Sequence, residues 1–255
     1  SSDVFVLRVE LNQKQQWGYY GRYVGKQFWL NIRKTPQIST APGSPLRGLT
    51  ITVDAGHGGE FEGAVGPTGL YEKDVNLQLA KTVAAMLEAA GAQVLMTRMS
   101  DTTVTLRDRI KIARSANSHI FVSLHNNSIG PATNPLRPRG TSTYHTVPQS
   151  EAVARSVYNR MLELGLSPFG RVLSTYFVTR QTSLISFLVE SVFITHPEDE
   201  LLLLDESFLQ EMAGAVVNGI KDFVVDKMPA DSKTDSMETD GSEPAEPDTL
   251  RYWRD

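Results

Sequence analysis

At 255 residues the chain has room for one substantial domain with accessories. No run of residues approaches the ~18 consecutive apolar positions of a membrane-spanning helix, and a formal charge of −4 argues against a nucleic-acid binder that works by neutralising phosphates. The absence of cysteine excludes thiolate metal sites, cysteine nucleophiles and disulfide staples, so any metal must be held by His, Asp or Glu.

The chain opens on Ser1 with neither a Met nor a basic-then-apolar leader. Either a targeting segment has been removed or the sequence has been trimmed. Residues 1–47 are expected to form a β-rich segment, a small module or the end of an upstream domain, closed by a linker. Residues 4–11 are rich in β-branched and apolar side chains, and Phe28, Leu30 and Ile32 alternate with Trp29, Asn31 and Arg33. Trp17, Tyr19, Tyr20, Tyr23 and Trp29 are candidates for stacking on sugar rings; the preferred reading has them filling a small β core. The linker Thr40-Ala41-Pro42-Gly43-Ser44-Pro45 breaks any regular element.

From 48 to 226 strand-like and helix-like segments alternate. Strands are expected at 50–53, 93–97, 119–124, 141–146 and 185–189. Helices are expected at 73–90, 105–116, 150–164 and 206–225. Val75, Leu79, Val83, Met86, Leu87 and Ala90 keep helical spacing, and Gly91 then stops that helix. Thr105-Leu106-Arg107-Asp108 has the form of a capping box. This alternation predicts an α/β fold, a mostly parallel twisted sheet covered by helices. Residues 227–255 lose hydrophobic periodicity and carry Asp and Glu among Ser, Thr and Pro, which predicts a disordered acidic tail.

In such sheets ligands gather beyond the carboxyl ends of the strands. Three of the expected strands end in titratable residues: His57 within Gly56-His57-Gly58-Gly59, His125 before Asn126-Asn127, and Glu190 after Val189. Glu72 joins them from just before a helix. Each alone has a plain structural explanation, such as a hydrogen-bonding His or a helix-end carboxylate. Together His57, Glu72 and His125 form a His₂Glu set known from catalytic zinc sites. A carboxylate at the position of Glu190 is poised to take a proton from water and return it to a leaving amine. The glycines around His57 also permit an anion-cradling nest, which ranks low because no phosphate-loop Lys-Ser/Thr follows. His196 is the most plausible spare, as a substrate contact, and His119 is expected at the surface. Asp54 and Asp74 are expected to orient a ligand or cap a helix, and Arg98 and Arg109 to make structural ion pairs.

These residues carry a family resemblance. Val53-Asp54-Ala55-Gly56-His57-Gly58-Gly59, Gly69-Leu70-Tyr71-Glu72-Lys73-Asp74-Val75-Asn76-Leu77, Thr97-Arg98 with Leu106, Arg109 and Ala116-Asn117, Phe121-Val122-Ser123-Leu124-His125-Asn126-Asn127-Ser128, and Leu188-Val189-Glu190-Ser191 trailed by Pro197-Glu198-Asp199-Glu200 occur in one order. In that order they resemble the zinc-dependent N-acetylmuramoyl-L-alanine amidases, the type 3 family. The resemblance implies Zn2+ on His57, Glu72 and His125, with Glu190 as the catalytic glutamate. It also implies a peptidoglycan substrate cut between N-acetylmuramic acid and L-alanine. A periplasmic or extracellular, cell-wall location follows, with an activator protein left open. Asn126 stands where the family usually has a small residue, Val192 where a Gly commonly follows the glutamate, and Thr195-His196 where it has a Ser-Asn pair. Residues 128–140 hold Pro131, Pro135 and Pro138 and are too short for a helix that would block the zinc, so an open site is expected. The competing functions are a non-catalytic peptidoglycan-binding relic and a zinc peptidase acting on the stem peptide.

Overall fold

The computed structural model describes residues 4, 6–38, 43–130 and 132–227. The expected disordered tail therefore lies outside the described residues, apart from Lys227, and so does part of the expected linker. The elements run β1 (Tyr19–Val24), β2 (Gln27–Ile32), β3 (Thr50–Ala55), α1 (Glu72–Ala89), β4 (Gln93–Met96), α2 (Leu106–Ser115) and β5 (Ile120–Asn127). They continue with β6 (Thr141–His145), α3 (Glu151–Leu162), β7 (Pro168–Leu173), β8 (Ile185–Phe193), α4 (Pro197–Leu204) and α5 (Glu206–Lys227).

Six strands form one sheet in the order β4-β3-β5-β8-β6-β7. All neighbours are parallel except β8 and β6, so the expected mostly parallel α/β sheet is the architecture observed. The chain leaves β3 for β4 on one side and then crosses to β5 on the other. That reversal opens a crevice at the carboxyl ends of β3 and β5. One sheet face, carrying Ile51, Val53, Val122, Leu124, Phe187 and Val189, packs against α1, α3 and α5 in the main core. The other face, with Phe121, Tyr144 and Leu188, is covered by Ile110 and Ala113 of α2 and by Val178 and Leu184 from the segment before β8.

Local chemistry explains the helix ends. Thr105 accepts from the Asp108 N–H and caps α2, as its sequence predicts. Beyond α1, Gly91 N–H bonds Glu88 and Ala92 N–H bonds Leu87, the paired bonds of a Schellman stop.

Beyond the N-terminal segment, two of these strands and helices lack a counterpart among the expected ones. β7 is an edge strand holding Pro168, Gly170 and Arg171, without clean alternation. α4 begins with Pro197 followed by Glu198, Asp199 and Glu200, a sound helix start that is too short to show periodicity.

Expectation and structure also part in the N-terminal segment. Residues 4 and 6–11 are not a strand; they run outside any sheet, with Val4, Val6 and Leu7 exposed. β1 and β2 form an antiparallel hairpin, but its aromatics do not build a core of their own. Tyr19, Tyr20, Tyr23 and Trp29 are exposed, whereas Trp17 is 1% exposed and sits in the main core. Its indole lies edge-on to His119 at 6.5 Å and 5.8 Å from the ring of Phe223 on α5. Around it, Tyr19 N–H donates to Thr182, Gln15 donates to the Gln149 carbonyl, and the Arg33 guanidinium donates to the carbonyls of Asn117 and Ser118. These partners precede α3, β5 and β8, so the segment closes the amino-end edge of the sheet, opposite the crevice.

Candidate active site

β3 delivers its chain into Gly56 and His57 at the crevice. His57 takes φ 58°, a left-handed conformation that a non-glycine residue holds only when its surroundings fix it. Arg109 supplies that fixing. It donates to the carbonyls of His57 (2.7 Å), Ala55 (2.6 Å) and Val104 (3.1 Å). It also pairs with buried Asp54 at 2.6 Å. Asp54 in turn accepts from Thr97 and Ser123, each at 2.6 Å. Asp54 therefore acts on His57 through Arg109 and not by direct contact. Arg98 makes no ion pair of the expected kind among the described residues; it binds the carbonyls of Ala55, Gly56, Lys73 and Ser100. Two buried guanidiniums thus satisfy the carbonyls of a turn that no ladder completes. Gly56 has to lack a side chain, because a Cβ there would lie 2.3 Å from the His125 ring.

Glu72 is the first residue of α1 and is buried. Its Oε2 lies 3.2 Å from His57 Nε2 and its Oε1 3.0 Å from His125 Nδ1. Oε2 accepts from Ala64 N–H; Oε1 accepts from Asn126 N–H and the Asn76 amide. Gly63 leaves the room, since a Cβ on it would come within 2.5 Å of Oε2. Burial pushes the Glu72 carboxyl up, but hydrogen bonds and charge from His125 and His57 outweigh that and hold it well below the usual carboxylate range.

One donor atom from each of His57, Glu72 and His125 lies within 4.8 Å of the others. Two imidazoles and an ionised carboxylate, convergent and backed by hydrogen bonds, are the donor set that suits Zn²⁺, and the three side chains fit that ion. His57 keeps 31% of its side-chain surface open to solvent and His125 18%, so the cluster is reachable. The described residues of 128–140 form turns and no helix.

Glu190 lies inside β8, not beyond its end. It stands in register with His125 on β5, where the ladder is interrupted between His125 and Asn127. Bulges of this kind re-aim side chains at sheet edges. Its Oε2 is buried with no hydrogen-bond partner. Burial first, and the charge of Glu72 second, push the Glu190 carboxyl well above its usual range.

Beside it, Tyr144 on β6 and Tyr176 from the segment before β8 meet edge to face at 5.3 Å. Burial raises the Tyr176 phenol, with smaller contributions from Tyr144 and Glu190. No pattern in the sequence points to this pair, because the elements that bring it together are distant in the chain.

The spare histidines do not join the site. His196 is buried and caps α4, its Nδ1 accepting from Glu198 N–H, so it is not available as a substrate contact. His119 is not at the surface. It packs against Trp17, accepts from Thr50 N–H, and has its pKa lowered to about 4 by burial and by the Arg33 charge. Asp74 occupies the first turn of α1, where a negative charge suits the helix end.

Comparison with known proteins gives the family of the chain. The family N-acetylmuramoyl-L-alanine amidase matches residues 51–222. The relative N-acetylmuramoyl-L-alanine amidase LytC of Bacillus subtilis is 33% identical over 197 residues, which cover 74% of this chain but only 39% of LytC. Among solved structures, the amidase AmiC2 of Nostoc punctiforme is 36% identical with a TM-score of 0.66, covering 69% of this chain and 97% of that one. The catalytic domain of CwlV from Bacillus (Paenibacillus) polymyxa is 31% identical with a TM-score of 0.65, covering 71% and 99%. The chain belongs to the N-acetylmuramoyl-L-alanine amidase family, whose members are hydrolases.

Proposed function

We propose that the chain hydrolyses the amide joining the lactyl group of N-acetylmuramic acid to the L-alanine of the peptidoglycan stem peptide, with Zn²⁺ held by His57, Glu72 and His125. The observation that carries this reading is the convergence of that donor set with Glu190 on the neighbouring strand, at the level of His125. Bound zinc supplies a Lewis acid that polarises the scissile carbonyl and activates water. Glu190 takes the proton of the attacking water on its free Oε2 and passes it to the amide nitrogen as that nitrogen leaves. Burial suits it to take up that proton, because a desolvated carboxyl held well above its usual range favours the protonated form. His57 and His125 hold the ion through ring nitrogens, and Glu72 adds the negative charge. Tyr176, half-exposed, lies near enough to Glu190 to feel its charge and is available to a bound substrate.

Residues 48–226 form the catalytic domain in this reading, and the substrate puts its place of action outside the cytoplasm, in the periplasm or cell wall. No helix of the described residues is long and apolar enough to cross a membrane. Glu190→Gln tests the assignment. It should retain about one equivalent of zinc while muropeptide cleavage falls by roughly 10²–10⁴-fold. Cleavage at the wild-type rate would remove Glu190 from the mechanism.

A further inference from the structure

Glu72 is oriented by a relay of two buried amides. Asn76, one helical turn along α1, donates from Nδ2 to Glu72 Oε1 at 3.1 Å and to the Gly56 carbonyl at 3.3 Å. Asn126, between His125 and Asn127 on β5, donates from its own Nδ2 to Asn76 Oδ1 at 2.9 Å. The backbone N–H of Asn126 reaches Glu72 Oε1 directly at 3.1 Å. Both side chains are buried.

The direction of the relay is fixed at its carboxylate end. An ionised carboxylate only accepts, so Asn76 must turn its NH₂ toward Glu72 and present its oxygen to Asn126. Asn126 must then donate, which leaves its own Oδ1 facing buried surroundings with no partner. An apolar side chain at 126 would move that orphan to Asn76 Oδ1, which accepts from Asn126; Asn at this position instead keeps Asn76, and through it Glu72, in one orientation.

We infer that Asn126 is a positioning residue for the metal centre, holding the Glu72 carboxylate in its ligating orientation through Asn76. This rests on the reading of His57, Glu72 and His125 as a zinc site.

The test compares wild type, Asn126→Ala and Asn126→Leu, the second keeping most of the side-chain volume. Zinc affinity is measured by competition with a chelator, and the unfolding midpoint of the metal-free proteins is measured in parallel. Both variants should bind zinc roughly 10–100-fold more weakly, while the metal-free midpoint of at least the Leu variant stays near that of wild type. Zinc affinity within about threefold of wild type in the folded variants would overturn the inference, threefold being small beside the effect expected of an outer-shell partner. So would loss of the metal-free fold in both, which would make Asn126 a packing residue. Failure of the metal reading itself shows in a different arm: wild type would take up no zinc, and the inference would fall with it.

Discussion

Three features suit Glu190 to the proposed proton exchange. Its carboxyl is desolvated, its Oε2 has no hydrogen-bond partner, and the charge of Glu72 at the start of α1 acts on it. His119 is the opposite case, a half-buried titratable group with a purely structural role. Folded, it protonates only near pH 4, whereas its ordinary value is 6.5. Between those values the unfolded chain binds more protons, so stability rises with pH. The contribution is complete above about pH 6.5 and is lost as pH falls toward 4. Allowing for solvent screening it amounts to roughly 1–2 kcal/mol. His119→Asn keeps an acceptor for Thr50 N–H but cannot titrate. Urea unfolding should show that it flattens the stability loss between about pH 7 and pH 5; an unchanged slope would assign that loss to other groups. His57, Glu72, His125 and Glu190 were legible in the sequence as polar residues at strand and helix ends. Arg109 makes the structural ion pair expected of it, with Asp54, but its carbonyl bonds, and the supports given by Asn76 and Arg98, were not legible. Their partners are mainly backbone carbonyls and amides of distant segments, and no spacing rule encodes those.

At the scale of elements, Trp17 is the apolar anchor of the N-terminal segment, beside the hydrogen bonds of Gln15 and Arg33. Trp17 fills the main core between His119 and Phe223, so Trp17→Ala should cost about 3–5 kcal/mol in chemical denaturation. A cost below about 1 kcal/mol would mean that the segment only rests on the catalytic body. The Thr105 cap makes a smaller claim: Thr105→Ala should lower stability by about 1 kcal/mol without altering zinc content. Helices with long apolar stripes and capped ends were readable in advance. The run at 4–11 misled because β propensity needs a neighbouring strand to pair with, and among the described residues none pairs with 4 or 6–11. β5 and β8 extend beyond the apolar runs that announce them, because backbone pairing continues through His125 and Glu190 after hydrophobicity ends.

The whole molecule divides its work between the two edges of one sheet. Trp17 and the Arg33 clamp close the amino-end edge, while the carboxyl-end edge collects the three donors and Glu190. Alternating elements made the sheet predictable, and strand ends made its functional edge predictable. The antiparallel pairing of β6 with β8 and the Tyr144–Tyr176 wall come from chain routing that alternation does not specify. Zinc bound to the folded state alone, as proposed, would link the site to global stability. Stripping the metal with a chelator should lower the unfolding midpoint, and restoring zinc at ~100 times its dissociation constant should return about 2.7 kcal/mol. A midpoint insensitive to both would deny the site its metal. The most direct test of the central reading is mass spectrometry of peptidoglycan digested by the zinc-loaded protein. The account predicts intact stem peptides bearing a free L-alanine amine, together with glycan that has lost them; fragments cut within the stem peptide, with the muramoyl–alanine amide intact, would contradict it.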